Sequence, residues 1–182
     1  ANLMVIDSMR NVIASSLPTG RGVDLYEKPY LREASLSRNF TIGGVEPDPV
    51  TGNLVFPYIL PYMDMHSGRI RLYVMATLKP ESNIQEFAET NLPPHARLYV
   101  RGKDGRLAYT YPPDTPDAED VFEQSAWKEI SSNKEAEGVL SMVDIQGRDY
   151  LLSYARLTAP GSEIPYITME LTMSKADAFA GP

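Results

Sequence analysis

The sequence predicts an α+β protein of two tandem modules, each an antiparallel sheet of about five strands with flanking helices. Three observations point there. Short β-rich runs alternate with clusters of Pro, Gly, Asp and Asn; residues 69–78, RIRLYVMATL, alternate with period two; and a hairpin pattern near residue 1 restarts at residue 96. The expected organisation is a first module over 1–80, a connector helix and linker over 81–95, and a smaller second module over 96–182.

Taken in order, NLMVIDSMRNVIASS reads as a hairpin, β-branched to Ile6, polar from Asp7 to Asn11, then Val12 and Ile13. DLYEKPYLREASLSR reads as a short helix, because Pro29 fits a first helical turn and Tyr30, Leu31 and Ala34 share a face. After NFTIGG and the turn-rich VEPDPVTGN come two strands, LVFPYILPYMD and RIRLYVMATL, joined by a tight turn in which Asp64 reads as the turn-starting residue. In the second, Ile70, Leu72, Val74, Ala76 and Leu78 form one apolar face and alternate with Tyr73, Met75 and Thr77. Pro57 and Pro61 each lack a ladder donor, so the first should be bulged, interrupted or at an edge. ESNIQEFAETNLPP reads as the connector helix, with Ser82 and Gln85 as a capping box, an apolar face of Ile84, Phe87 and Ala88, and a stop at Pro93 and Pro94.

From Ala96 the pattern repeats. ARLYVRGKDGRLAY parallels ANLMVIDSMRNVIA from Ala1, and DIQGRDYLLSYARL from Asp144 parallels DMHSGRIRLYVMATL from Asp64. The second copy is expected as strands at 96–101 and 107–111, a helix around 118–131, and strands at 138–143, 148–157 and 166–172. Ser174 is placed to cap a last helix.

Composition narrows the function. A net charge of −7 in 182 residues argues against a nucleic-acid partner, and the cluster Arg97, Arg101, Lys103 and Arg106 reads as a solvated hairpin. With no cysteine there is neither a disulfide nor a thiolate zinc site. His66 and His95 lack a metal spacing, no G-x-S-x-G elbow occurs, and GRG at 20–22 lacks the rest of a phosphate loop. No catalytic residue, metal or cofactor is expected. No apolar run approaches the ~18 residues of a membrane span, and the start has neither an initiator Met nor a signal peptide, so the chain is expected to be part of a longer one.

GVDLYEKPYLREA, FTIGG, PVTGNLVFPYILPYMD and SGRIRLYVMATL resemble the membrane-distal half of double Cache domains, the paired PAS-like extracytoplasmic sensors of bacterial receptors. The family's helix commonly reads D-R-P-Y-F-R-x-A; here Pro29, Tyr30, Arg32 and Ala34 match and Lys28 replaces the Arg. The second half, through GRDYLLSYARL and PYITMELT, is similar to the membrane-proximal module. The resemblance implies two PAS-like modules in the periplasmic part of an inner-membrane protein, with flanking membrane spans outside this chain. It also implies a homodimer, and a cytoplasmic output that is a histidine kinase, a diguanylate cyclase or phosphodiesterase, or a chemoreceptor region.

It implies a small-molecule pocket between the helix and the facing strands of the first module. Lys28 falls where the helix Arg holds a ligand carboxylate and Tyr30 on the neighbouring aromatic; a desolvated carboxylate needs such a charge-assisted partner. Tyr58, Tyr62, Tyr73 and Met75 are the wall candidates and Arg38 a second cation. Thr77 and Val23 stand where the amino-acid subgroup has an Asp, which holds the ligand ammonium, and a Tyr. Without that Asp an ammonium would be buried unpaired, so a small carboxylate or other polar metabolite is expected before an ordinary amino acid. The second module lacks a Lys-Pro-Tyr helix and is expected to be structural. The alternative is a PAS-like interaction module that binds no metabolite and works through dimerisation or a periplasmic partner protein; a free-standing binding protein is more distant.

Overall fold

The computed structural model describes residues 1–182 except 20–22, 24, 83, 85–88, 90–91, 160–161 and 181–182. The chain divides into two compact units, Ala1–Pro80 and Glu81–Pro182. The connector helix expected at 82–91, with Gln85, Phe87 and Ala88, lies for the most part outside the described residues.

The first unit runs β1 (Asn2–Asp7), β2 (Val12–Ser15), α1 (Pro29–Ser37), β3 (Thr41–Ile42), β4 (Glu46–Pro47), β5 (Leu54–Met63) and β6 (Ile70–Leu78). Its strands are antiparallel in the order β2-β1-β6-β5-β3, with β4 also paired to β5. α1 starts at Pro29, whose missing N–H is no loss in a first turn, and stops at Arg38, whose left-handed backbone returns its N–H to the Ala34 carbonyl. It buries Tyr30, Leu31 and Ala34, as the spacing predicts.

Strand parity decides what these three residues meet. Met4, Met75 and Ile59 pair directly across β1, β6 and β5, are fully buried, and join α1 in one apolar core. Tyr73 lies on the same face, and its hydroxyl donates to Ser35 of α1 at 2.6 Å, because Ser35 spends its own proton on the Leu31 carbonyl. The apolar alternation of Leu72, Val74 and Ala76 therefore turns away from α1 and is only half-buried. Pro57 and Pro61 do not interrupt β5, which pairs with β6 from Phe56 to Met63 and bulges only at Tyr62–Met63. Pro57 accepts from the Gly43 N–H through its carbonyl, on the side of the two-residue β3. Pro61 shares its parity, so both missing donors face the sparsely paired edge and the β6 ladder loses nothing.

The second unit runs β7 (Arg97–Gly102), β8 (Leu107–Tyr111), α2 (Ala118–Val121), α3 (Ala126–Ser132), β9 (Glu137–Val143), β10 (Asp149–Thr158), β11 (Pro165–Ser174) and α4 (Lys175–Ala178). The order β8-β7-β11-β10-β9 reproduces that of the first unit. The single helix expected near 118–131 is two, broken where Phe122 forms a backbone bridge with Asp144. Ser174 caps α4 through the Asp177 N–H. The Ala1 and Ala96 repeats coincide in topology, since β1-β2 and β7-β8 hold the same places. The Asp64 and Asp144 repeats do not: one turn joins β5 to β6, the other β9 to β10. What they share is chemistry, an Asp accepting turn N–H groups and an Arg guanidinium: Arg71 in the first, Arg148 in the second.

The same parity that buries Met4 and Ile6 in β1 buries Tyr99 and Arg101 in β7. Arg101 is thus not a solvated hairpin cation. It is 2% exposed, donates through Nε to Glu170 Oε1 at 2.9 Å, and pairs with Asp117, the N-cap of α2. Glu170 is fully buried, and its Oε2 has no hydrogen-bond partner among the described residues. Burial pushes the Glu170 carboxyl up to about 7, against the opposing pull of Arg101 and with the Glu119 and Asp117 carboxylates adding to the rise. A carboxyl raised on folding stabilises fully below its unfolded value near 4.5 and loses that contribution as pH rises toward 7. Thermal melts between pH 4.5 and 8 are expected to show this decline, at most on the order of 3 kcal/mol at ~1.4 kcal/mol per pKa unit, and Glu170→Gln to lack it. An identical slope in both proteins removes the assignment.

Candidate functional site

The start of α1, the 45–53 loop and the end of β6 meet at one corner of the first unit. Lys28, the N-cap position of α1, donates to Glu46 at 2.9 Å, with side chains 26% and 20% exposed. Two residues on, Tyr30 is buried, and burial first, then the Glu46 and Asp48 carboxylates, push its hydroxyl pKa well up. Asp48 is 3% exposed. Its Oδ1 accepts from the N–H groups of Val50 and Thr51, which folds the loop, and its Oδ2 accepts from Thr77 Oγ1 at 2.6 Å. Burial alone would raise the Asp48 pKa, but these donors outweigh it and hold it below the usual carboxylate range.

Asn2, opposite Thr77 across β1 and β6, is 3% exposed; its Oδ1 accepts from Ser16, while its Nδ2 has no partner among the described residues. Asn2, Asp48, Thr51 and Thr77 line a cavity of about 50 Å³. At ~30 Å³ per liquid water that holds one or two waters.

Of the residues expected from sequence, Lys28 pairs with Glu46 and Thr77 with Asp48, while Tyr30 is packed in the core near enough to both carboxylates to feel their charge. Tyr73 and Met75 lie on the same sheet face but are packed in the core beneath α1. Tyr58 and Tyr62 are on the reverse face: they alternate with Ile59, which faces α1, so they cannot. Tyr58 stacks on Phe40 at 6.2 Å and Tyr62 is 60% exposed. Arg38 is exposed at the far end of α1, nine residues past Pro29. Glu46, Asp48 and Asn2 were missed. The first two sit in the turn-rich VEPDPVTGN, where acidic residues read equally as turn formers, and only Asp48's reach to Thr77 distinguishes it. Asp64 is the turn residue expected, held by His66, Ser67 and Arg71.

In the second unit a cleft of about 570 Å³ lies among Pro93, His95, Arg97, Tyr111, Thr172 and Asp177, and a smaller open cleft of about 140 Å³ lies against Trp127. Among the described residues no group of three or more His, Asp or Glu is placed to hold a metal, and no helix is long and apolar enough to cross a membrane.

No protein-family model and no curated protein sequence matches the chain. Solved structures match its fold. The extracellular domain of a histidine kinase superimposes with a TM-score of 0.71 at 16% identity, over 99% of this chain and 73% of the other. The ligand-binding domain of the Pseudomonas aeruginosa amino acid chemoreceptor PctB, in complex with L-arginine, gives 0.70 at 13%, over 100% and 74%. That of the Pseudomonas fluorescens chemoreceptor CtaA, in complex with L-alanine, gives 0.67 at 16%, over 98% and 74%. The chain thus shares the fold of these domains, two tandem PAS-like modules.

Thr77→Val keeps the shape at this corner and strands the Asp48 Oδ2. A buried acceptor left unpaired costs roughly 1–3 kcal/mol, so urea denaturation should show a loss of that size; a loss below about 0.5 kcal/mol, the usual range for surface changes, would show that Asp48 does not depend on Thr77.

Proposed function

We propose that the chain is the extracytoplasmic ligand-sensing domain of a bacterial transmembrane signalling receptor, whose first, membrane-distal unit binds a small polar, carboxylate-bearing metabolite at the Lys28 corner. The observation that carries this reading is the agreement of fold, over nearly the whole chain, with the extracellular domain of a histidine kinase and the ligand-binding domains of chemoreceptors. Output by a kinase, a diguanylate cyclase or phosphodiesterase, or a chemoreceptor region belongs to the cytoplasmic part of such a receptor, reached through flanking membrane spans. The domain itself performs no catalysis and works as a periplasmic homodimer.

Lys28 exchanges Glu46 for the ligand carboxylate. The pair is partly exposed, a class of interaction worth about 1 kcal/mol or less, so the exchange is easy. Asp48 supplies beside Thr77 the negative charge that Thr77 lacks, which admits a ligand carrying an amine as well as a carboxylate. Binding shifts the receptor between two states by its differential affinity for them.

A thermal-shift screen against small carboxylates, amino acids, amines and nucleobases tests the reading. A ligand at about 100 times its Kd adds roughly 2.7 kcal/mol, several degrees in a domain of this size. Lys28→Gln is expected to abolish the shift while leaving the unliganded melting temperature nearly unchanged. A shift that survives Lys28→Gln would take the carboxylate role away from Lys28, and an empty screen would move the balance to a second reading.

That reading, an interaction module acting through dimerisation or a periplasmic partner protein, is favoured by one observation: the space beneath α1 is filled by Tyr30, Tyr73 and Met75, while the reverse face of the sheet leaves Leu3, Leu60 and Tyr62 53%, 53% and 60% exposed. On it, Leu60→Lys weakens self-association in sedimentation experiments at least tenfold; a protein that is monomeric with either residue gives it no support.

A further inference from the structure

One guanidinium in the second unit serves two carboxyls unequally. Arg101 grips Asp117 with both terminal nitrogens, Nη2 on Oδ1 and Nη1 on Oδ2, and Nη1 also donates to the Gly105 carbonyl at 3.2 Å. Glu170 receives only Nε, at 2.9 Å on Oε1, and its Oε2 is buried without a hydrogen-bond partner among the described residues. Burial alone would raise the Asp117 pKa, but the Arg101 guanidinium and the Glu119 N–H outweigh it and keep Asp117 ionised. A buried carboxylate oxygen with no donor is costly, so Glu170 is the member of the pair that takes up a proton.

The groups around Glu170 are few. β7 brings Arg101 and Tyr99, β10 brings Tyr154 directly across and Arg156 one row on, and β11 itself adds Thr168 and Thr172. Asp117 and Glu119 face it from the start of α2, and both carboxylates oppose its ionisation. Lys103 and Arg156 line the cleft beside Trp127. α3 and β9 turn Ala126, Ile130 and Met142 inward and leave Lys128, Glu129 and Glu137 exposed. Ionised Glu170 therefore makes a third carboxylate around the Arg101 guanidinium.

Glu170 is paired on both sides within the sheet and cannot withdraw. α2 can: it is four residues long and tied to the sheet through Asp117. Glu119 is also the joint from α2 to α3, accepting from the Trp127 N–H at 2.8 Å on Oε1 and from Ser125 Oγ at 2.6 Å on Oε2. Trp127 in turn sits against Gly105, where a Cβ would fall 2.5 Å from the indole nitrogen, and Gly105 is the residue whose carbonyl Arg101 holds.

We propose that Arg101, Asp117 and Glu170 form a proton-operated latch, which holds α2 and the start of α3 on the second sheet while Glu170 is protonated and lets them loosen when it ionises. The sign follows from linkage, since a carboxyl whose pKa rises on folding favours the folded arrangement in its protonated form. The second unit then responds to the pH around it, whatever the Lys28 corner binds.

Trp127 is the only tryptophan in the chain and lies at the joint that moves. Its emission and its quenching by acrylamide are expected to follow a one-proton curve with a midpoint near the Glu170 value of about 7. Over the same rise in pH, amide protection across 118–132 should fall roughly fivefold or more, while β7, β10 and β11 keep theirs. Glu170→Gln, neutral at every pH, should hold the low-pH emission throughout. Asp117→Asn keeps a capping side chain but removes a competing charge and frees Arg101 for Glu170, so it should move the midpoint down; it carries the test if Glu170→Gln does not fold. His95→Gln, a titratable group outside the cluster, should leave the curve unchanged. The proposal is overturned if wild-type emission and protection stay flat through neutrality, if Glu170→Gln keeps the transition, or if Asp117→Asn leaves the midpoint in place. Protection lost evenly over sheet and helices overturns it too, because Glu170 would then set global stability alone.

Discussion

A residue on a β-strand can face only one side of its sheet, and in both units this parity determines which side chains the helices meet. Across β1, β6 and β5 it presents Met4, Met75 and Ile59, and α1 closes over them with Tyr30, Leu31 and Ala34. Across β7, β11 and β10 the same geometry presents Tyr99, Glu170 and Tyr154. The backbone order is shared; the second interior differs in admitting Arg101, Thr168 and Glu170 where the first has Ile6, Tyr73 and Met75. Burying a Met or Leu side chain contributes about 1.5–3 kcal/mol, whereas a buried ion pair offsets little beyond its own desolvation. These polar groups therefore add little stability, and the second unit draws it from the apolar cluster in which Leu152, Met142 and the Tyr99 and Tyr154 rings of the same sheet pack with Phe122, Ala126 and Ile130.

Arg101 makes the polar face tolerable. It bonds Glu170 from its Nε and Asp117 from its terminal nitrogens, so one guanidinium ties β7 to β11 and to the start of α2. Burial holds the Glu170 carboxyl near neutrality while Arg101 and backbone donors keep Asp117 ionised. Two carboxyls on one cation are thus driven apart in charge, an arrangement that removes part of the repulsion two ionised groups would impose.

How much of this was readable from the sequence depends on whether a local signal was enough. Pro29 with Tyr30, Leu31 and Ala34 specifies α1 because the helix period and the cap are both local, and the restart at Ala96 reveals the second unit because hairpin turn chemistry is local too. Parity relative to the core is not. In β6 the more apolar alternation, Leu72, Val74 and Ala76, is the outer one, and only pairing with Ile59 and Met4 shows that Tyr73 and Met75 face α1. The same information assigns Tyr58 and Tyr62 to the reverse face. Asp48 and Thr77 are 29 residues apart, and nothing in the order of residues says that they will touch. Arg101 was misread for the complementary reason: four cations near one turn look solvated until the strand's parity turns one of them inward.

The exceptions to good packing are grouped rather than scattered. Apart from Asp48, Asn2 and Thr77 at one corner, the helix-facing side of the first sheet is largely apolar; on the second, the incomplete bonds gather around Glu170, Tyr154 and Arg156. Sequences that otherwise agree at every level of structure tend to break the rules at functional places. An unpaired buried donor also discriminates more sharply than an apolar wall. A compound that lacks the matching acceptor leaves the donor stranded, while an extra methylene in an apolar pocket changes affinity by only about 1–3 kcal/mol. Arg156, whose Nη1 donates to the Asn133 carbonyl and whose guanidinium lies over the Tyr154 ring, has little freedom to turn its Nη2 toward another acceptor.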